Sequence, residues 1–190
     1  IDANSTPWDI YHVVRLLPFN EASSLAISQS TIIVGTRSGS VCFHDLGDKV
    51  GQSESAMKAG HCAYPGGQIH TLQLSGSAAE NLEVYSGSSN GRICRGHLQP
   101  NLNMTDCFDM PGSEPRGVLS IQFFQNSTKL ASSSVNGVLA IWDLTLPMAV
   151  QRIPLEMYQS LDYYVTMTMC PDDVFFYLTG TLGGITAPCP

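Results

Sequence analysis

The segment KLASSSVNGVLAIWDL, residues 129–144, contains the pattern from which the fold is predicted. An apolar run leads into three serines, the chain turns at Asn136-Gly137, and a second apolar run follows. Asn-Gly suits a tight β-hairpin, because the backbone of such a turn must adopt positive φ. The segment therefore predicts two antiparallel strands, the second of which ends in the dipeptide Trp142-Asp143.

Three further copies of this pattern make the chain a repeat. TIIVGTRSGSVCFHDL (31–46) and EVYSGSSNGRICRGHL (83–98) align with the first segment without gaps, and VFFYLTGTLGGITAPCP (174–190) is the fourth copy. The turn glycines of the four copies lie 52, 46 and 46 residues apart. They are Gly39, Gly91, Gly137 and Gly183.

Further strand candidates flank the hairpins. No segment shows the apolar period of a long amphipathic helix. Four short antiparallel strands that recur at intervals of about 46 residues are typical of a β-propeller blade. The strands that precede the hairpins are predicted at 24–28, 69–75, 118–124 and 163–169, and weaker ones that follow are predicted at 104–110 and 149–155.

The third copy resembles a WD40 repeat. VLSIQFFQNSTKLASSSVNGVLAIWDL (118–144) ends in Trp-Asp as repeats of that family do, and CPDDVFFYLTGT (170–181) is similar to the family's SPDG…LASGS stretch. The resemblance implies that Trp142, with Ser132 or Ser133, keeps part of the family's Asp–His–Ser–Trp hydrogen-bond tetrad. The Gly-His pair that opens a typical repeat is missing from all four copies. His44-Asp45 and Gly96-His97 occupy the Trp-Asp position in the first two copies.

The resemblance implies an all-β fold, with one WD40-like β-propeller region over residues 1–190 made of about four four-stranded blades. Propellers of this kind commonly have more blades. The chain is therefore expected to be either a complete four-blade ring or part of a larger propeller, in which a second chain could supply the other blades. Residues 47–67 break the repeat spacing, as a docking loop or a disordered insertion would. The approximate blades are 24–66, 67–112, 117–156 and 162–190, with residues 11–17 as a strand that closes the last blade.

Composition argues against several classes of function. Charged residues make up 13% of the chain and the net charge is −7, so nine cations without a run provide little basis for a phosphate-binding surface. We expect no direct nucleic-acid partner. No apolar run approaches the roughly 20 residues of a membrane helix, which predicts no membrane insertion. The first residues have no initiator Met and no basic segment, so we expect a chain that was processed, truncated or cut from a longer one.

One motif suggests catalysis. Gly87-Ser88-Ser89-Asn90-Gly91 matches the G-x-S-x-G nucleophile elbow of hydrolases letter for letter. That elbow requires a strand-to-helix turn, whereas the motif falls in a predicted hairpin. No CxxC pair, phosphate loop or dinucleotide motif occurs. Cys42 with His44, and Cys94 with His97, could each offer two metal ligands, but these two cysteines are interpreted as buried thiols. We therefore expect a protein that is not an enzyme and has no metal or cofactor. A hydrolase that uses Ser88 or Ser89 is the catalytic alternative.

The resemblance also implies a binding face. In WD40-like propellers the turn inside each hairpin and the loop that enters each blade line one face, which commonly binds proteins. Arg37 and Arg116 are the strongest candidates there, because arginine forms bidentate pairs with carboxylates and is enriched at binding hot spots. The full predicted set is Arg37, Ser38, Ser89, Asn90, Arg116, Val135 and Asn136.

The leading hypothesis is a non-catalytic scaffold in a multiprotein complex, cytoplasmic or nuclear, with other protein subunits as partners. A surface with few charges suits burial against proteins. The first alternative is a secreted, disulfide-stabilised four-blade module that resembles hemopexin-type propellers. The six cysteines and the glycosylation sequons at Asn4, Asn103 and Asn126 favour that alternative. A further alternative is a substrate receptor of a cullin-type ubiquitin ligase. Such receptors often carry Arg two residues after Trp-Asp, where this chain has Thr145.

Overall fold

All the regular structure in the described part of the chain consists of β-strands, which confirms the all-β expectation. No helix long and apolar enough to cross a membrane occurs among these residues. The computed structural model describes residues 21–28, 31–45, 58–61, 67–76, 82–97, 103–110, 117–124, 127–135, 138–145, 149–154, 166–169 and 176–179.

Twelve of the described strands form three sheets of one design, in which each strand pairs antiparallel with the next one along the chain. The first sheet contains β1 (Ala22–Ser28), β2 (Thr31–Thr36), β3 (Ser40–Asp45) and β4 (Lys58–His61). The second contains β5 (Ile69–Ser75), β6 (Glu83–Ser88), β7 (Arg92–His97) and β8 (Asn103–Asp109). The third contains β9 (Val118–Phe124), β10 (Lys129–Ser134), β11 (Val138–Asp143) and β12 (Ala149–Pro154). A two-stranded sheet contains β13 (Thr166–Met169) and β14 (Phe176–Thr179).

Most of these strands lie where the sequence pattern predicts them. β5 and β9 have the predicted bounds, and β1 begins two residues before the predicted segment. β4 was not predicted. It lies inside the stretch 47–67, and its sequence KAGH lacks the alternating or β-branched apolar residues by which strands are recognised. The proposed closing strand at 11–17 lies outside the described residues, as do Gly137 and Gly183.

The sheets pack one after another through their first strands: β1 contacts β5, β5 contacts β9, and β9 contacts β13. The Ser23 hydroxyl donates to the Ile69 carbonyl at 2.6 Å across the first interface. His70 Nδ1 donates to the Val118 carbonyl at 3.1 Å across the second, and the Met167 backbone N–H donates to Ser120 Oγ at 3.3 Å across the third. These bonds join residues 46, 48 and 47 positions apart, so the sequence repeat is also the step from sheet to sheet.

Apolar side chains fill the spaces between neighbouring sheets. Val84 of the second sheet packs with Ile33 of the first, whereas Tyr85, the next residue, packs with Ile121 of the third. This alternation follows from the two-residue period of a strand, which sends successive side chains to opposite faces. Tyr85 also meets Phe123 edge to face, with ring centroids 4.9 Å apart. The described strands do not form a closed ring.

Candidate protein-binding face

The three described hairpin turns lie at equivalent places in their sheets and are held by the same backbone bond. In each sheet, the residue that follows the second strand donates its backbone N–H to a carbonyl. That carbonyl belongs to the residue that immediately precedes the first strand of the same sheet. Each turn is therefore tied to the chain segment that enters its own sheet. The three bonds are Arg37 N to Glu21 O at 2.9 Å, Ser89 N to Gln68 O at 2.8 Å, and Val135 N to Gly117 O at 3.0 Å.

Glycine closes the first two turns in the conformation that the sequence predicts. Gly39 and Gly91 have φ of 86° and 78°, a region that residues with a Cβ rarely adopt. Their N–H groups donate to the carbonyls of Thr36 and Ser88 at 3.2 and 3.1 Å. Asn90 is not among the described residues with positive φ, so the loop has three residues with glycine in the left-handed position.

A buried hydroxyl braces the base of each hairpin. Thr36 Oγ1 accepts from the Ser40 N–H at 3.0 Å, and Ser134 Oγ accepts from the Val138 N–H at 3.3 Å. Ser88 Oγ occupies the same position in the second sheet and donates to the Arg92 carbonyl at 3.3 Å. The small polar residues before each turn thus satisfy backbone groups that the hairpin would otherwise leave unpaired.

Arg37 is the charged residue of the predicted binding set that lies within the described ranges. Its guanidinium forms an ion pair with Glu21 at 3.0 Å, and the two side chains are 65% and 69% exposed. An ion pair in such open surroundings contributes little to stability, because solvent and salt screen it. Arg37 can therefore exchange Glu21 for a carboxylate on another protein at low cost. The position of Glu21, just before a first strand, is the signal from which this partner could have been predicted.

The remaining predicted residues have different surroundings. Ser38 and Asn90 are exposed, and the Asn90 side chain lies against Gly67. Ser89 is half-buried, and its hydroxyl accepts from the Gln68 N–H at 2.9 Å. Val135 is half-buried. Arg116 and Asn136 lie outside the described residues.

The G-x-S-x-G segment runs from strand β6 through a turn into strand β7. The Ser88 and Ser89 hydroxyls both bond to backbone groups, as described above. His70, which sequence analysis did not single out, lies nearby: a Cβ added at Gly117 would be 3.3 Å from His70 Cε1 and 3.1 Å from Ser89 Cα. Nδ1 of this histidine bonds to the Val118 carbonyl. Within the described ranges, no three His, Cys, Asp or Glu side chains are grouped so that they could hold a metal ion.

The Trp-Asp dipeptide of the third sheet has two separate local roles. The Trp142 indole is buried, and its Nε1 donates to Ser132 Oγ at 2.7 Å. The structure thus selects Ser132 over Ser133 as the partner of this tryptophan. The Asp143 carboxylate accepts from the Thr145 hydroxyl and, at 3.0 Å, from its backbone N–H, and these two bonds hold the pKa of Asp143 below its usual value.

The cysteines correct one expectation from the sequence. Cys94 and Cys107 are directly opposite each other on β7 and β8 and form a disulfide, whereas Cys94 was interpreted as a buried thiol. Their pairing depends on strand register, which their spacing does not reveal. Cys42 does have the expected state, a buried thiol without a disulfide, and burial raises its pKa. The other three cysteines lie outside the described residues.

Comparisons with known proteins support a β-rich fold and show no family. No family model matches this sequence, and no curated protein matches it significantly. Among solved structures, the computationally designed Ika4 protein is similar with a TM-score of 0.65 and 15% identity, over 90% of this chain and 93% of that one.

Two natural proteins are similar to the same extent. A chain of the mitotic checkpoint complex has a TM-score of 0.63 and 18% identity, over 85% of this chain and 44% of that one. Raptor from Chaetomium thermophilum has a TM-score of 0.64 and 11% identity, over 86% of this chain and 15% of that one. At such low identity these similarities support a β-rich fold alone.

Proposed function

We propose that this chain is a WD40-like β-propeller region that serves as a non-catalytic scaffold, with partner proteins bound at the end of the sheets where the hairpin turns lie. The observation that carries the proposal is the repeated bond between each turn and the entry of its own sheet. These bonds fix the hairpin turns of successive sheets, so that their exposed side chains lie along the same end of the sheets. A rigid surface loses little conformational entropy on binding, which favours protein recognition.

Two structural features support the propeller part of the proposal. Three consecutive four-stranded sheets share one strand order and pack through their first strands. Radial repetition of such sheets is how a propeller is built. The bond from Trp142 to Ser132 corresponds to the serine–tryptophan part of the WD40 tetrad and supports the resemblance to that family.

The binding part is supported by the composition of the surface and by one comparison. With 13% charged residues, the chain has few charges to desolvate when it is buried against a partner. One of the similar structures is a multiprotein complex, the mitotic checkpoint complex. The Arg37–Glu21 pair adds a charged group that suits a partner segment with its own carboxylate.

Affinity purification from the native source, followed by quantitative mass spectrometry, tests the proposal. Arg37→Ala combined with Asn90→Ala removes exposed groups from the turn edge, and we expect the co-purifying proteins to fall about ten-fold or more, as for loss of a hot spot. Ser127→Ala combined with Lys129→Ala is the matched control, since it removes one cation at the opposite end of a sheet. Equal recovery with both variants would contradict binding at the turns.

The absence of catalysis is part of the same proposal. The bonds of Ser88 and Ser89 to backbone groups suit a structural role for the motif better than a nucleophile. We expect no covalent labelling of the folded protein by a fluorophosphonate probe. Labelling at either serine would favour the hydrolase alternative instead.

The disulfide favours a second candidate, a secreted, disulfide-stabilised binding module. Disulfides persist in oxidising compartments and are rare in the cytosol, so the Cys94–Cys107 bond opposes the cytoplasmic or nuclear location that the scaffold proposal includes. A thiol count on unreduced protein from the native source separates the two. Six free thiols would eliminate the secreted candidate, whereas a linked peptide containing both cysteines would favour it.

A further inference from the structure

Among the described residues, no sheet packs against one face of the first sheet. Leu25 and Ile27 on β1 are 59% and 61% exposed, and they are the exposed large hydrophobic residues of the described chain. Leu25 is opposite Val34 and Ile27 is opposite Ile32, so these four side chains share one face. Cys42, opposite Val34 on the next strand, extends this face. Val34 and Cys42 are only 6% and 4% exposed, so the exposed part of the face is the one on β1. We call these five residues the open face.

Strand register identifies the residues that correspond to the open face in the next two sheets. The pair Ser24 and Gly35 in the first sheet corresponds to the pair Thr71 and Gly87 in the second and to Ser120 and Ser133 in the third. Counting from these pairs, Leu25 corresponds to Leu72 and Ile121, and Ile27 corresponds to Leu74 and Phe123. Ile32 corresponds to Val84 and Leu130, and Cys42 corresponds to Cys94 and Ala140.

All these corresponding residues pack against the preceding sheet. Leu72, Val84 and Cys94 belong to the apolar cluster between the first and second sheets, and Leu74 packs against that cluster. Ile121, Leu130 and Ala140 belong to the cluster between the second and third sheets, against which Phe123 packs. Leu72 is 6% exposed and Ile121 is fully buried, whereas Leu25 at the same position is 59% exposed. The open face therefore has the side chains of a sheet-to-sheet interface, but no strand in the described part of the chain forms a preceding sheet.

The sheet of β13 and β14 has the geometry that the open face requires. Its Thr166–Thr179 pair repeats the register of Ser120 and Ser133, and Met167, at the position of Leu25, is buried against Ala131 and Leu139 of the third sheet. Each of the first three sheets packs one of its two faces against the following sheet. The face of the β13–β14 sheet that points away from the third sheet corresponds to that face. Within one chain this sheet does not cover Leu25 and Ile27.

We propose that the open face binds the β13–β14 sheet of a second copy of this chain. Two such contacts, related by a two-fold axis, would join both ends of each copy and close the assembly. The interface continues the packing already present between successive sheets, and the open face has no charged residue to desolvate. The proposal rests on the propeller architecture proposed above, but not on partner binding by the hairpin turns.

The native mass of the full chain over a range of concentrations, measured by light scattering after gel filtration, tests this. We expect a particle of twice 20.5 kDa. Leu25→Asp combined with Ile27→Asp should weaken the dimer at least 100-fold and give a monomer with an unchanged far-ultraviolet circular dichroism spectrum. Asn90→Asp combined with Ser127→Asp adds the same charge at exposed positions on other sheets and should remain dimeric.

A wild-type chain that is monomeric, or larger than two copies, would overturn the second-copy proposal even if the double aspartate variant does not fold. A control variant that dissociates as readily as the open-face variant would also overturn it. If the wild type is monomeric while its co-purifying proteins still depend on Arg37 and Asn90, only this inference fails. If it is dimeric and those proteins do not depend on the turns, only the partner-binding proposal fails.

Discussion

The Trp142 indole nitrogen and the Ser132 hydroxyl are joined by a buried hydrogen bond of 2.7 Å, and Ser132 in turn donates to Met110 Sδ at 2.9 Å. Met110 follows the last strand of the second sheet, whereas the other two residues belong to the third. The tryptophan therefore stabilises its own sheet and, through one serine, also bonds that sheet to its neighbour.

Removal of the Ser132 hydroxyl should destabilise the chain measurably. Ser132→Ala leaves the indole N–H buried without its acceptor, and we expect a loss of about 1–3 kcal/mol in the free energy of unfolding. Urea unfolding monitored by circular dichroism measures this loss. In the background of Trp142→Phe, which removes the donor, the cost of Ser132→Ala should be clearly smaller. Equal costs in both backgrounds would show that the bond contributes nothing.

Glycine is required where the second strand of one sheet meets the first strand of the next. A Cβ at Gly87 would be 2.6 Å from Val118 Cγ1 and 2.7 Å from Thr71 Cγ2, and one at Gly35 would collide with Ser24 Oγ and Ile69. Gly87→Ala should therefore cost about 1–3 kcal/mol through overpacking. The exposed Ser127→Ala should change stability by less than about 0.5 kcal/mol in the same unfolding assay. A Gly87 variant as stable as wild type would contradict the close packing of these sheets.

Stability should fall in alkaline solution because of Tyr85. Burial, and then the adjacent Glu83 carboxylate, raise the pKa of this phenol above its ordinary value of 10.0. The folded state favours the neutral phenol, so its contribution is fully present below the unfolded pKa and is lost as the pH rises towards the folded pKa. Between pH 9 and 11 the wild type should lose more stability than Tyr85→Phe, as measured by urea unfolding at each pH. Parallel curves for the two proteins would exclude this role.

Reduction of the disulfide should weaken the second sheet. Cys94 and Cys107 close a loop with a sequence separation of 13, and loss of such a cross-link typically costs about 2–4 kcal/mol. Thermal unfolding should therefore shift to lower temperature when a reductant is added to the wild type. The variant Cys94→Ala combined with Cys107→Ala should already unfold at the lower temperature and should not respond to reductant. A response in that variant would assign the effect to other cysteines.

Features that arise within one hairpin can be predicted from the sequence. Turn glycines such as Gly91, the apolar strands around them and the interval of the repeat can be predicted because a turn and a two-residue alternation depend only on neighbouring residues. The exposed arginine at a turn could be predicted for the same reason. β4 escaped prediction because KAGH becomes a strand only by pairing with β3.

Features that depend on the register between distant segments become visible only in the three-dimensional structure. The choice of Ser132 for Trp142 and the pairing of Cys94 with Cys107 both depend on how strands align. The open face is the clearest case, since Leu25 occupies the same strand position as Leu72 but is 59% exposed instead of 6%, and no described sheet precedes it. Burial is a property of what packs against a residue, so local sequence patterns cannot determine it.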